Sequence, residues 1–293
     1  MSVRSDEGRV PFRGYETWYR TVGEGGGLPL VLLHGGPGGT SRGMGLLEPL
    51  ADERRLVFYD QLGSERSSQP SDPSLWTIEL FLAELANLRD ALGLDRIHLL
   101  GHSWGGMLAL EYALTQPEGL ESVVLSSTLS SAALWREESL RLRAELPPEI
   151  RQVLDRHEAA GNTDDPEYEE AMRAFLHRHL CRLDPWPPLL EEVLRATNRE
   201  VYNAMWGPSE AYPTGVLASW DVTPRLGEIE APALVLCGRY DEATPRQAET
   251  IAAALSHAEL VVFEESAHTA LLEETDRYLA TVRGFLARVE SAS

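Results

Sequence analysis

Short strand-like runs alternate with helix-period segments along the first third of this chain, and that alternation restricts the fold more than any other feature. Leu30–Leu33 runs into a glycine-rich turn at residues 34–39, and Leu56–Tyr59 runs into Asp60–Gln61–Leu62–Gly63. Thr77 then stands where a helix cap belongs. Ile78, Phe81, Leu82, Leu85 and Leu88 recur behind it at helical spacing, and Gly93 marks the end. Ile97–Leu100 and Ser122–Leu125 read as further strands, with a helix over Gly105–Leu114 between them that Pro117 stops. Such alternation predicts a mostly parallel central sheet with helices on both faces. Over 129–223 it lapses into helical segments broken by Pro147–Pro148, Gly161–Pro166 and Pro185–Pro188. It resumes with strands at Ala233–Leu236 and Leu260–Phe263 and helices at Pro245–Leu255 and Asp276–Val289. The expected organisation is an α/β core made of residues 1–128 and 224–293, with 129–223 inserted as a helical cap.

Bulk properties exclude several roles. A formal net charge of −20 repels nucleic acid and anionic membranes. No apolar run approaches the roughly 18–20 residues of a membrane span. Met1–Val10 is polar and charged, without the apolar core of a signal peptide. Cys181 and Cys237 form neither a metal-ligand spacing nor a disulfide framework, which fits a reducing compartment. The expectation is a cytoplasmic globular protein that binds neither nucleic acid nor membrane. No motif calls for a metal or an organic cofactor, and a monomer is compatible with the pattern.

The chemistry starts at Gly101–His102–Ser103–Trp104–Gly105, a G-x-S-x-G sequence between a predicted strand and a predicted helix. A sharp strand-to-helix turn lifts the serine hydroxyl above the sheet edge, and the small flanking residues let the backbone bend. A serine hydroxyl needs a base, and the base needs an acid to orient it. On this architecture they follow in the order serine, acid, histidine. Asp241 follows the strand that ends near Cys237, and His268 follows the next strand, just before the last helix. Among the other histidines, His257 precedes its strand and so belongs at the opposite sheet edge. His177 and His179 stand two apart on a helix and face different ways. His98 lies within a strand, and His157 reads as solvated.

Acyl transfer also needs two N–H donors aimed at the oxyanion. The backbone of Trp104 supplies one. The loop His34–Gly35–Gly36–Pro37–Gly38 supplies the other through Gly36, because Pro37 has no N–H. Taken with HGGPG at 34–38, several further stretches resemble the proline iminopeptidases, more closely the tricorn-interacting aminopeptidase branch and related L-amino-acid amidases. They are YDQLG at 59–63, GHSWGG at 101–106, NAMWGPSE at 203–210, WDVTPRL at 220–226, GRYDEATP at 238–245 and FEESAH at 263–268.

This resemblance implies an α/β-hydrolase core with a helical cap, and release of the N-terminal residue from short peptides or amino-acid amides. It also implies that Glu210 and Glu242 hold the substrate's free amine. By residue type alone, Glu210 is equally a turn acid and Glu242 equally a helix cap. Trp104, Trp206 and Tyr202 are expected either to form an apolar slot for the first residue or to pack in the core. One departure stands out: Glu65 occupies a position where the family usually has glycine, so it is expected to reshape its loop or to pair with Arg66. Two rival readings share these residues: a carboxylesterase or lactonase without an amine requirement, and a binding protein on a hydrolase fold.

Overall fold

A computed structural model describes residues 4–211 and 213–292. Three residues of the polar N-terminal stretch, Met1–Val3, lie outside them. The sheet contains β1 (Ser5–Phe12), β2 (Tyr15–Val22), β3 (Gly27–Leu33), β4 (Arg54–Tyr59), β5 (Ile97–His102), β6 (Leu120–Ser126), β7 (Ala233–Gly238) and β8 (Ala258–Phe263). Its order is β1-β2-β4-β3-β5-β6-β7-β8, antiparallel from β1 to β4 and parallel from β4 onward. The β1–β2 hairpin has no counterpart in the sequence reading. Its turn, Arg13–Gly14, takes positive φ at both residues, 50° and 85°. That is the two-residue turn matching strand twist, built here without the Asn-Gly or Asp-Gly signal.

Buried parallel strands send alternate residues to two layers. Leu30, Leu32, Leu56, Phe58 and Leu100 pack with the 3₁₀ segment Ser41–Asp52 and with the last helix. Val31, Leu33, Val57 and Leu99 pack with α1 (Ile78–Leu92) and α2 (Trp104–Leu114). Thr77 caps α1 through Leu80 N, and Gly93 closes it at φ 61°, both as expected.

Between β6 and β7 the described residues form α3 (Ala132–Ala144), α4 (Pro148–Ala160), α5 (Pro166–His179), α6 (Pro188–Ala196) and α7 (Arg199–Met205). The first three breaks fall at the predicted segments, and the fourth falls at Thr197–Asn198, where Asn198 caps α7. Helices α3 to α5 share a small core of their own around Leu142, Leu154, Tyr168 and Phe175. His157, expected in solvent, is buried there, with Nδ1 at 3.1 Å from Asn162 O and Nε2 at 3.2 Å from Glu167. A helical hairpin that buries its own inner face takes an inward histidine with it. The chain closes with α8 (Pro245–Ala254), α9 (Ala270–Glu273) and α10 (Thr275–Ala292). Among the described residues no helix is long and apolar enough to cross a membrane.

Strand order reverses at β3, which has β4 on one side and β5 on the other. In open α/β sheets, ligands settle outside the carboxyl ends of strands at such a point. The turns after β3 and β5, residues 34–40 and 102–103, both reach one cavity there.

Candidate active site

Ser103 sits between β5 and α2 at φ 54°, ψ −119°, a conformation side chains rarely adopt. The surroundings impose it. Ser103 N donates to Ser126 O at 2.9 Å, and Thr128 Oγ1 donates to Ser103 O at 2.7 Å. A Cβ on Gly101 would overlap the Gly105 carbonyl, and one on Gly105 would overlap the Leu33 carbonyl. Both glycines of the pentapeptide are therefore required by close approach, and the turn aims the N-terminus of α2 at the serine. The neighbouring loop is in contact with the turn, since a Cβ on Gly35 would lie 3.1 Å from His102 Nδ1 and 3.4 Å from Ser103 Cβ.

His268 Nδ1 lies 2.7 Å from Asp241 Oδ1, which also accepts from Ala243 N at 2.7 Å. A carboxylate oxygen that already accepts from a backbone N–H is an acceptor for the ring too, so Nδ1 donates and Nε2 faces away from Asp241, toward Glu242. Burial alone would push the His268 imidazolium down. Asp241, with Glu242 and Glu210, outweighs that and raises its pKa to about 9. His102 behaves oppositely: burial, then the charge on His268, lowers it to about 4. Its Nε2 faces His268 O at 3.0 Å, and a carbonyl only accepts, so this nitrogen donates.

The C-terminal end of α5 ties the two loops together. His179 O accepts from Glu242 N at 3.1 Å and from His268 N at 3.2 Å. His179 Nδ1 lies 2.9 Å from Tyr240 O, whereas His177 stacks on Trp186, so the two diverge as expected.

A cavity of about 230 Å³ joins most of these groups, with Gly36, Ser103, Tyr202, Glu210, Glu242 and His268 all on its wall. Asp241 lies behind His268 rather than on the wall. Glu242 Oε1 is 3.9 Å from His268 Nε2, while Glu242 Oε2 is buried without a hydrogen-bond partner among the described residues. Glu210 accepts from the Tyr202 hydroxyl. Its backbone carbonyl takes the indole N–H groups of Trp135 at 2.9 Å and Trp206 at 3.1 Å. Burial raises the pKa of Glu210, and burial followed by repulsion from Glu210 raises that of Glu242 well above the carboxylate range. With two acids buried on one cavity wall, each disfavours the ionised form of the other.

Of the three aromatics weighed for an apolar slot, Tyr202 lines the cavity. Trp104 and Trp206 pack behind it, against Phe81 and Trp135 respectively. Glu65 does not pair with Arg66. It binds Arg42 Nε at 2.6 Å and Thr40 Oγ1 at 2.9 Å, while Arg66 binds Asp60. Glu65 is also absent from the residues with positive φ, so a side chain is tolerated there.

Gln61 had no assigned role in the sequence reading. Its backbone N–H donates to His34 Nε2 at 2.9 Å and its side-chain amide to His34 O at 3.1 Å. Its Oε1 accepts from the Trp104 indole at 2.7 Å. Fully buried, Gln61 braces the Gly36 loop against the residue that follows Ser103. Its sequence signals were its place just after β4 and its position within YDQLG.

Residues 29–275 match the family model described as alpha/beta hydrolase fold. A curated proline iminopeptidase from Heyndrickxia coagulans is 41% identical over 280 residues, covering 95% of both chains. The crystal structure of a proline iminopeptidase from Mycobacterium smegmatis is 37% identical, with a TM-score of 0.91, and covers 98% of this chain and 99% of that one. The crystal structure of VinJ is 39% identical with a TM-score of 0.94, at 97% and 99% coverage. The chain belongs to the proline iminopeptidase family of α/β hydrolases.

Proposed function

We propose that this enzyme releases the N-terminal residue, proline or another small apolar one, from short peptides or amino-acid amides through an acyl-enzyme on Ser103. Ser103 attacks the carbonyl of the first residue, His268 Nε2 takes the hydroxyl proton, and Asp241 holds the imidazolium. The N–H groups of Trp104 and Gly36 meet the developing oxyanion. His268 then protonates the leaving amine, and water resolves the ester. Glu210, brought over the core by the cap of residues 129–223, and Glu242 hold the substrate ammonium one carbon from the attacked carbonyl. Two buried free cysteines, Cys181 and Cys237, fit a cytoplasmic setting. The observation that carries the reading is the pair of carboxylates in the cavity of Ser103, with a buried Glu242 oxygen lacking any partner.

Hydrolysis of prolyl, alanyl and leucyl anilides, their N-acetyl counterparts and nitrophenyl acetate tests it, with Ser103→Ala as the blank. Cleavage of the free-amine anilides that disappears on acetylation is expected. Turnover of the ester alone would return the enzyme to the carboxylesterase reading.

The carboxylates around His268 also set a pH signature. A base must be neutral to accept the serine proton, and its pKa of about 9 keeps it charged at neutral pH in the empty site. With nitrophenyl acetate, which brings no ammonium, kcat/KM is therefore expected to climb through pH 8–9. An ordinary histidine would plateau above about 7. Replacing both Glu210 and Glu242 with Gln moves the midpoint down, and an unmoved midpoint contradicts the assignment.

The Gln61 brace is tested by Gln61→Met, which keeps the length and removes the amide. His34 O and the Trp104 indole lose their partner, so the oxyanion donors lose their alignment. A fall in kcat of about 10–100-fold, with KM nearly unchanged, is expected, short of the full loss of one donor. A change confined to KM or to Tm would make Gln61 a purely structural residue.

A further inference from the structure

By residue type the cavity wall divides into two limbs. One comprises buried Glu242 and Tyr202, with Glu210 beside them. The other is aliphatic. Met44 and Leu46 come from the 3₁₀ segment after β3, Leu189, Val193 and Leu194 from one side of α6, and Leu272 from α9. Leu194 is 39% exposed, whereas Glu242 and Tyr202 are buried.

Resting on the aminopeptidase reading, we propose that the aliphatic limb receives the leaving group and that the preferred leaving group is an extended, uncharged apolar amine. If the ammonium is seated on buried Glu242, the remainder of the substrate lies against the rest of the wall, which is chiefly aliphatic. From Leu189 to Leu194 the helix rises about 7.5 Å, far more than a proline ring fills. The limb is also poor in partners for a peptide backbone. The three threonines on the cavity wall already donate their hydroxyl protons: Thr40 to Glu65, Thr197 to Val193 O and Thr269 to Leu180 O. Among the described wall residues, the cation other than histidine is Arg199, which lies near Tyr202 and Glu210 at the ammonium end. A carboxylate at the far end of a dipeptide therefore meets aliphatic side chains and no cation. Amide groups placed along this limb would lose water without gaining hydrogen bonds, whereas methylenes lose nothing.

The test is a series of prolyl amides of methylamine, butylamine and octylamine, which share one electronic character, together with prolyl-glycine. On the full-length enzyme, kcat/KM is expected to rise at least about 100-fold from methyl to octyl, since each buried methylene contributes roughly fourfold. Prolyl-glycine should fall below the butylamide. Val193→Asn should cut the octyl-to-methyl ratio about tenfold. A flat series, or a better rate on prolyl-glycine than on the octylamide, overturns the proposal. So does an equal gain from lengthening the acyl side chain, from alanyl to 2-aminooctanoyl methylamide, because the limb would then hold the first residue. If no free-amine amide is cleaved while nitrophenyl acetate is, the aminopeptidase reading itself fails and takes the proposal with it.

Discussion

Asp241→Asn is expected to lower kcat by about 10⁴-fold while leaving the fold intact. Asp241 Oδ1 receives two donors at 2.7 Å, the His268 Nδ1–H and the Ala243 N–H. An asparagine that keeps its carbonyl in the Oδ1 place turns its N–H₂ group against the Gly238 N–H, which lies 3.4 Å from Oδ2. If the amide flips so that its carbonyl meets Gly238, the amide nitrogen faces Nδ1 and forces the imidazole to accept there. The proton then moves to Nε2, where it blocks removal of the Ser103 proton. Loss of the carboxylate charge also withdraws the largest influence raising His268, so the remaining activity should show a pH midpoint well below about 9. Single-turnover acylation and a melting curve on the same preparation separate a chemical defect from an unfolded one. A loss smaller than tenfold would show that Asp241 does not orient the base.

The parts of this site that were legible in advance are those for which local geometry and chemistry coincide. The glycines around Ser103 can be read because close packing against Leu33 and Gly105 carbonyls leaves no room for any other residue. Asp241 and His268 can be read because a parallel sheet brings the ends of successive strands to one edge. The helix Ile78–Leu92 was visible from its cap, its period and its closing glycine together. The β1–β2 hairpin was not, because Arg13–Gly14 carries no strong turn signal and β2 alternates only loosely between buried and exposed residues. His157 was misread because its burial comes from the packing of α4 on α5, which no single helix records. Gln61 and the Glu65–Arg42 pair were missed for the same reason. Each depends on a contact between segments 23 or more residues apart that share no period. Resemblance alone separated Glu210 and Glu242 from ordinary turn and capping acids, and what now sets them apart is their common cavity.

Glu242→Gln is expected to reduce kcat/KM on free-amine substrates by about 30- to 4,000-fold, the range for breaking a buried charge pair by ~2–5 kcal/mol. Burial and repulsion from Glu210 both oppose the ionised form of Glu242, and its Oε2 has no donor to offset them. An ammonium between the two side chains supplies the missing donor and opposes the repulsion at once. The substituted glutamine would present one neutral oxygen and an N–H₂ group that points a dipole of the wrong sign at the cation. The same change should spare nitrophenyl acetate, or speed it at neutral pH, because removing a nearby carboxylate lets His268, 3.9 Å away, lose its proton more readily. Opposite responses of the two substrate classes are hard to produce by misfolding, which lowers both. Equal losses on amine and ester would mean that Glu242 supports the triad and does not bind the substrate. In that case Glu210→Gln, at a position held from behind by Trp135 and Trp206, becomes the deciding variant for any amine site in this cavity.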